Sequence, residues 1–232
     1  MHRILIVDDD EGLCKFVRVN LEARGYLVDE AHDGLEAMEQ FKEARPDLVL
    51  LDVTMPNMNG IDLTIWLRAQ SMLPIVVLSG HDEEDLKVRA LDAGADDYVT
   101  KPFGYDELMA RVRANLRRVE QVADVITPDV VEVANLRIDL AARRVFLDEH
   151  EIALTQTEFV LLAELAREQG HVVSHAQLLT RAWGPEYRDS SHYLYIYFGR
   201  IRKKLGEPYS NLIETVPRLG YMLRRFLPTL QD

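Results

Sequence analysis

Cysteine is nearly absent from this chain: Cys14 is the single one in 232 residues. That excludes an intrachain disulfide framework and a zinc site built from thiolates, and Cys14 itself reads as a small buried hydrophobe on the first helix. Also missing are any run of about 18 apolar residues and any basic-then-apolar leader, because charge begins at Arg3 and recurs throughout. A soluble, cytoplasmic protein with no membrane partner is expected. No internal repeat or low-complexity segment appears.

The chain is long enough, and at 47% hydrophobic apolar enough, for two modest domains with separate cores. Its net charge of −12 argues against nucleic acid until the distribution is considered. Cut after Ala123, the first part holds 14 basic and 24 acidic residues (net −10) and the second 13 and 15 (net −2). Within the second, Arg167 to Arg225 holds 10 Lys or Arg against 5 Asp or Glu, net +5. An acidic half is joined to a locally basic one.

The first half alternates short apolar runs with helical periodicity. Strands are expected at His2 to Val7, Leu27 to Ala31, Leu48 to Leu51, Ile75 to Ser79 and Tyr98 to Thr100. Between and after them lie helices at Glu11 to Arg24, Leu35 to Ala44, Ile61 to Ala69, Glu83 to Ala93 and Tyr105 to Arg118, the first closed by Gly25. Such alternation implies an α/β doubly wound five-stranded parallel sheet with helices on both faces. The run Leu48 to Leu51 ends in Asp52 and a Pro, Asn and Gly-rich loop. Taken alone, an Asp in that place starts a turn, but it has company. Asp8 and Asp9 follow the first strand, Ser79 closes the fourth, and Lys101 follows the fifth. In a doubly wound sheet these carboxyl ends converge on one edge. Crowded carboxylates repel, so protons or a divalent cation must compensate, and oxygen-only ligands suit Mg2+. Lys101 offers a point charge for an anion and Ser79 a hydroxyl. The chemistry implied is phosphoryl transfer onto a carboxylate.

ILIVDDD, LVLLDVTMPNMNG, PIVVLSG and GADDYVTKPF resemble, in order and spacing, the receiver domain of two-component response regulators over residues 1–119. The resemblance implies a flavodoxin-like fold and a sensor histidine kinase as phosphoryl donor, with Asp52 as the phosphoacceptor. It implies Mg2+ on Asp8, Asp9, Asp52 and the Val53 backbone carbonyl, with Lys101 and Ser79 on the phosphoryl oxygens. Tyr98, by composition a strand packing residue, stands at the family's switch aromatic, which follows Ser79. The charged face of the fourth helix, fifth strand and fifth helix is, by composition, a solvated surface. In the OmpR/PhoB family it forms a homodimer, which here would pair Lys87 with Glu107, Asp97 with Arg111, and Asp96 with Arg118.

A linker is expected over residues 120–131, which contain Pro128. Residues 132–228 then open on β-like runs at Leu136 to Leu140, Arg144 to Leu147 and Glu151 to Leu154. Thr155 with Glu158 is a capping box in front of a core-facing helix. A brief strand His171 to Val173, a helix through Leu178 and Trp183, the stretch SSHYLYIYFGRIRKKL and a hairpin around Pro217 to Gly220 follow. On that stretch Leu194, Phe198, Ile201 and Leu205 are expected inside, with Tyr193, Tyr197, Arg200, Lys203 and Lys204 opposite. Its late cations equally suit the helix macrodipole. LTQTEFVLLAEL, LLTRAWG, IRKKLGEP and IETVPRLGYMLR resemble the α+β winged helix-turn-helix of the OmpR/PhoB family, and the long stretch resembles that of KdpE-type regulators. By this resemblance Tyr193, Tyr197, Arg200, Arg202 and Lys203 meet the major groove or its phosphates, and Arg218 probes the minor groove of double-stranded DNA. RNA polymerase is a further expected partner. Three alternatives stay open: a regulator that works without phosphorylation, a receiver that acts only by protein contact, and a dehalogenase-like Mg2+-dependent phosphatase using the Asp8 and Asp10 spacing.

Overall fold

The computed structural model describes residues 2–80, 84–120, 130–188 and 190–226, with side chains for all of these but 84, 85, 117–120 and 186. It divides into two compact units, Met1–Arg117 and Arg118–Asp232.

The first unit alternates β1 (Arg3–Val7), α1 (Glu11–Glu22), β2 (Leu27–Ala31), α2 (Gly34–Ala44), β3 (Leu48–Asp52), α3 (Gly60–Gln70), β4 (Ile75–Ser79), α4 (Glu84–Ala93), β5 (Asp97–Thr100) and α5 (Tyr105–Glu120). Its strands form one parallel sheet in the order β2-β1-β3-β4-β5. This is the flavodoxin-like arrangement, with a topological switch between β1 and β3. Every residue of β3 and β4 is buried, as strands covered by helices on both faces require. Helix starts are set locally. Asp10, Asp33 and Asn59 each accept two backbone N–H bonds at the head of α1, α2 and α3. The loop after β3 folds back so tightly that a Cβ on Gly60 would lie 2.1 Å from the Asp52 carbonyl oxygen.

The second unit opens with an antiparallel sheet of β6 (Val130–Val133), β7 (Leu136–Asp139), β8 (Arg144–Leu147) and β9 (His150–Glu151). After it come α6 (Gln156–Arg167), β10 (Val173–Ser174), α7 (His175–Ala182), α8 (His192–Leu205), β11 (Ile213–Val216) and β12 (Gly220–Leu223), with short 3-10 turns before α8 and β11. The last sheet, in order β10-β12-β11, is antiparallel. Together α6, α7, α8 and this hairpin make a winged helix. Two differences from the sequence expectation concern the first sheet. Strand β6 lies partly inside the stretch expected as linker: Val131 and Val133 turn inward against β7 while Glu132 faces out. Glu120, the first residue of that stretch, closes α5, and residues 121–129 lie outside the described residues. Strand β9 is earlier and shorter than expected, because Asp148, at φ 54°, turns the chain sharply after β8.

Two glycines test this packing. A Cβ on Gly220 would stand 1.9 Å from the Val173 carbonyl oxygen, whereas one on Gly199, inside α8, would meet nothing within 4 Å. Gly220→Ala is therefore expected to cost about 1–3 kcal/mol or more and Gly199→Ala to stabilise by up to about 1 kcal/mol, as read by urea denaturation.

Candidate functional site

The parallel register sets β1, β3, β4 and β5 side by side so that their carboxyl ends share one edge, with Val7 beside Leu51, Asp52 beside Leu78 and Ser79 beside Thr100. Asp8 and Asp52 are buried there, the latter 5% exposed. Lys101 reaches across them. Its Nζ donates to Asp8 Oδ2 at 2.7 Å and to Asp52 Oδ1 at 2.6 Å. The remaining oxygens are also held: Asp52 Oδ2 accepts from the Thr54 N–H at 2.7 Å, and Asp8 Oδ1 from the Asp10 N–H at 3.0 Å. Buried Ser79 donates to the Gly80 carbonyl at 3.3 Å.

The electrostatics follow from burial. Desolvation pushes the Asp52 carboxyl above its ordinary range; Lys101 pulls it back down, the charge of Asp8 adds to the rise, and the net shift is upward. For Lys101 burial works downward, but its bonds to Asp52 and Asp8 outweigh it and the ammonium is held more firmly than usual. Two enclosed carboxylates thus share one cation. Asp9 stands apart, exposed at the rim. Among the described residues no three carboxylate, His or Cys side chains converge on one point. Tyr98 is half-buried, with the Lys87 ammonium 5.1 Å from its ring centroid.

An acidic pocket with a bridging lysine on one unit and a winged helix on the other define a kind of protein. The chain matches the model of the response regulator receiver domain over residues 4–113 and that of the C-terminal domain of transcriptional regulatory proteins over residues 149–223. The chain is a response regulator of the OmpR/PhoB type. It is 43% identical to the transcriptional regulatory protein KdpE of Mycobacterium tuberculosis (strain ATCC 25618 / H37Rv) over 205 residues, 88% of this chain and 90% of that one. It is 41% identical to the response regulator MprA of Mycobacterium ulcerans over 231 residues, 97% of this chain and 99% of that one. Among solved structures, the regulator resembles a cysteine-to-serine mutant of RitR with a TM-score of 0.80 at 27% identity, over 96% of this chain and 99% of that one. Members of this family are transcription factors with a receiver domain, not classical enzymes.

Several residues expected at the regulator's surfaces lie elsewhere. Asp96 is fully buried, ion-paired to Arg68, which also donates to the Gly94 and Leu73 carbonyls at 2.8 and 2.6 Å. It braces the end of α3 against the sheet instead of facing a second copy. The side chain of its expected partner, Arg118, lies outside the described residues. Asp97 is also buried and meets Arg111 within one chain at 3.0 Å, while Arg111 bonds Glu107 at 2.9 Å.

On α8 the correction is larger. Tyr193 and Tyr197 are 2% and 0% exposed, packed on Trp183 with ring centroids 5.0 and 5.1 Å away. Arg200 Nε lies 3.2 Å from Glu158 Oε1 and Lys204 Nζ 2.6 Å from its Oε2. Arg202 donates to the Ile213 carbonyl at 2.8 Å and to Thr215 Oγ1 at 2.8 Å. At about 100° per residue, positions 193, 197, 200 and 204 lie on the flank of a face centred on Leu194, Phe198, Ile201 and Leu205, not opposite it. On that flank Tyr193 and Tyr197 are buried against Trp183, Arg200 is half-buried beside Glu158 of α6, and Lys204 reaches Glu158 from the surface. What faces outward is His192, Tyr195, Gly199 and Lys203, and Arg218 is exposed at the hairpin tip with φ 66°. The helical spacing itself carried that signal for Tyr195 and Gly199.

Because its raised pKa makes the ionised form of Asp52 a cost to folding, Asp52→Asn is expected to raise the melting temperature. The gain is full above the folded-state pKa and vanishes as the pH falls below the ordinary carboxylate range; melting curves across pH read it directly. In the second unit, Glu158→Ala would remove the capping-box acceptor of α6 and the carboxylate shared by Arg200 and Lys204 and cost about 1–3 kcal/mol, against less than about 0.5 kcal/mol for exposed Lys203→Ala, by denaturant titration.

Proposed function

We propose that the regulator accepts a phosphoryl group on Asp52 from a sensor histidine kinase, and that this controls its binding to double-stranded DNA. The observation that carries the proposal is Lys101 bridging the buried carboxylates of Asp8 and Asp52 at one sheet edge. A carboxylate oxygen of Asp52 attacks phosphorus and the bond to the donor's imidazole nitrogen breaks. Lys101, already at hydrogen-bond distance, moves its charge onto the incoming oxygens, and the Ser79 hydroxyl, held by one long bond, turns to a second. The donor set suits Mg2+: Asp8, Asp9, Asp52 and the Val53 backbone carbonyl offer only oxygen, and the two buried carboxylates of Asp8 and Asp52 share the single charge of Lys101. When bound, the ion supplies charge neutralisation for the transferring group.

Tyr98 follows Ser79, and the face of α4, β5 and α5 becomes the homodimer contact, with Lys87 meeting Glu107 across the two-fold. Two winged helices then occupy repeated half-sites, Lys203 toward phosphates of the major groove and Arg218 toward the minor groove, in reach of RNA polymerase. No helix among the described residues is long and apolar enough to cross a membrane, and the protein works in the cytoplasm, where the DNA is.

Light scattering of wild type and Asp52→Ala, with and without Mg2+ plus beryllofluoride, tests this. The expected outcome is a monomer-to-dimer shift confined to the wild type with both additives. A wild type that stays monomeric while binding the mimic removes the dimer step, and a shift retained by Asp52→Ala removes Asp52 as acceptor.

A further inference from the structure

Two residues in the middle of α8 face outward, Tyr195 and Gly199. Tyr195 projects with 79% of its surface exposed, the most of any large hydrophobic side chain among the described residues. Leu194 before it is buried and Ile196 after it is half-buried. One turn on stands Gly199, in a helix interior, where glycine is among the least favourable residues. Neither crowding nor a left-handed backbone explains it: a Cβ there would meet nothing within 4 Å, and its φ is not among the positive ones. Close approach of the helix backbone to something outside the chain does explain a glycine. Both residues share the outward stripe with His192 and Lys203.

The groups around them narrow what that partner surface offers. Arginine forking onto guanine is the commonest specific base contact, but here Arg200 is engaged by Glu158, and Arg202 by Ile213 and Thr215. Lys203, in the last turn, is exposed and suited to phosphate. Between His192 and Lys203 the stripe carries the Tyr195 ring, the bare backbone of Gly199 and the partly exposed Ile196. Helical side chains lean toward the N-terminus, so Tyr195 covers the turn of Ser191 and His192 and leaves the turn of Gly199 uncovered. The one apolar group that base pairs present in the major groove is the C5 methyl of thymine.

We infer that Tyr195 and Gly199 form the base-reading centre of α8, the Tyr195 ring lying on a thymine C5 methyl while Gly199 lets the helix backbone sit close to the base edges. This rests on the DNA-binding reading above and adds to it which group is read.

The test starts from randomised duplexes selected with the full-length chain in Mg2+ and beryllofluoride. Each thymine of the selected half-site is then replaced by uracil, which removes only the methyl. At one thymine per half-site, uracil is expected to weaken wild-type and Tyr195→Phe binding about tenfold and to leave Tyr195→Ala, already weaker, unchanged. Gly199→Ala is expected to lose about tenfold on the selected site, to bind unselected duplex as the wild type does, and to melt no lower. Melting curves establish that each variant is folded. A uracil penalty below about twofold at every thymine, or the same penalty in Tyr195→Ala, overturns the inference while leaving DNA binding intact. Wild-type binding by Gly199→Ala overturns the close approach. A pool in which the wild type enriches no sequence overturns the DNA-binding reading, and this inference with it.

Discussion

Lys101 sits between two carboxylates that could not otherwise be buried together. At an effective dielectric suited to a partly enclosed site, like charges this close repel by several kcal/mol, and the ammonium bridging Asp8 and Asp52 offsets most of that. Asp52 remains perturbed upward even so. Burial is the chief cause of that rise, and two carboxylates are left to share one ammonium. The geometry depends in turn on the sheet. Asp8 and Asp52 lie 93 and 49 residues from Lys101 along the chain, and only the parallel register of β1, β3, β4 and β5 sets them on a common edge. Gly60 closes the loop over that edge, where any side chain would strike the Asp52 backbone.

The second unit is organised by another buried carboxylate. Glu158 closes the capping box of α6 and takes Lys204 and Arg200 from α8. A fully buried charge of this kind is weak evidence of net stabilisation, but it has a positional effect: it orients α8 about its own axis. Trp183, ringed by Tyr187, Tyr193 and Tyr197, holds the same flank from the other side. Four residues with the chemistry to meet DNA are thereby spent on holding the helix, and the outward stripe is narrower and less charged than a count of cations suggests.

Much of the first unit was legible along the chain. The alternation of buried strands and capped helices, the Asp52 loop and the strand-end carboxylates are local patterns, and β1 to β5 lie within a residue or two of their expected positions. The winged-helix elements were legible too, through the Thr155 and Glu158 box and the hairpin turn around Pro217 to Gly220. What misled was surface assignment. Asp96 and Asp97 carry charge and were placed on the outer face, yet Arg68 and Arg111 draw them inside. Tyr193 and Tyr197 have the amphipathic character of groove-facing residues and pack instead on an indole. Strand β6 was lost because a short alternation of valine and glutamate beside Pro128 resembles a connector until β7 is there to pair with it.

The sequence by itself determined the order and type of the elements and, through the topology that such an order permits, the edge where Asp8, Asp52, Ser79 and Lys101 meet. Those are consequences of periodicity and of right-handed crossovers, which act locally or follow from the path of the chain. Only the tertiary structure decided which side of α8 faces outward and which charges are already paired. A tyrosine or an arginine is equally at home in water and against an apolar wall, so its place is settled by what other elements bring to it, here Trp183, Glu158 and the β11 hairpin.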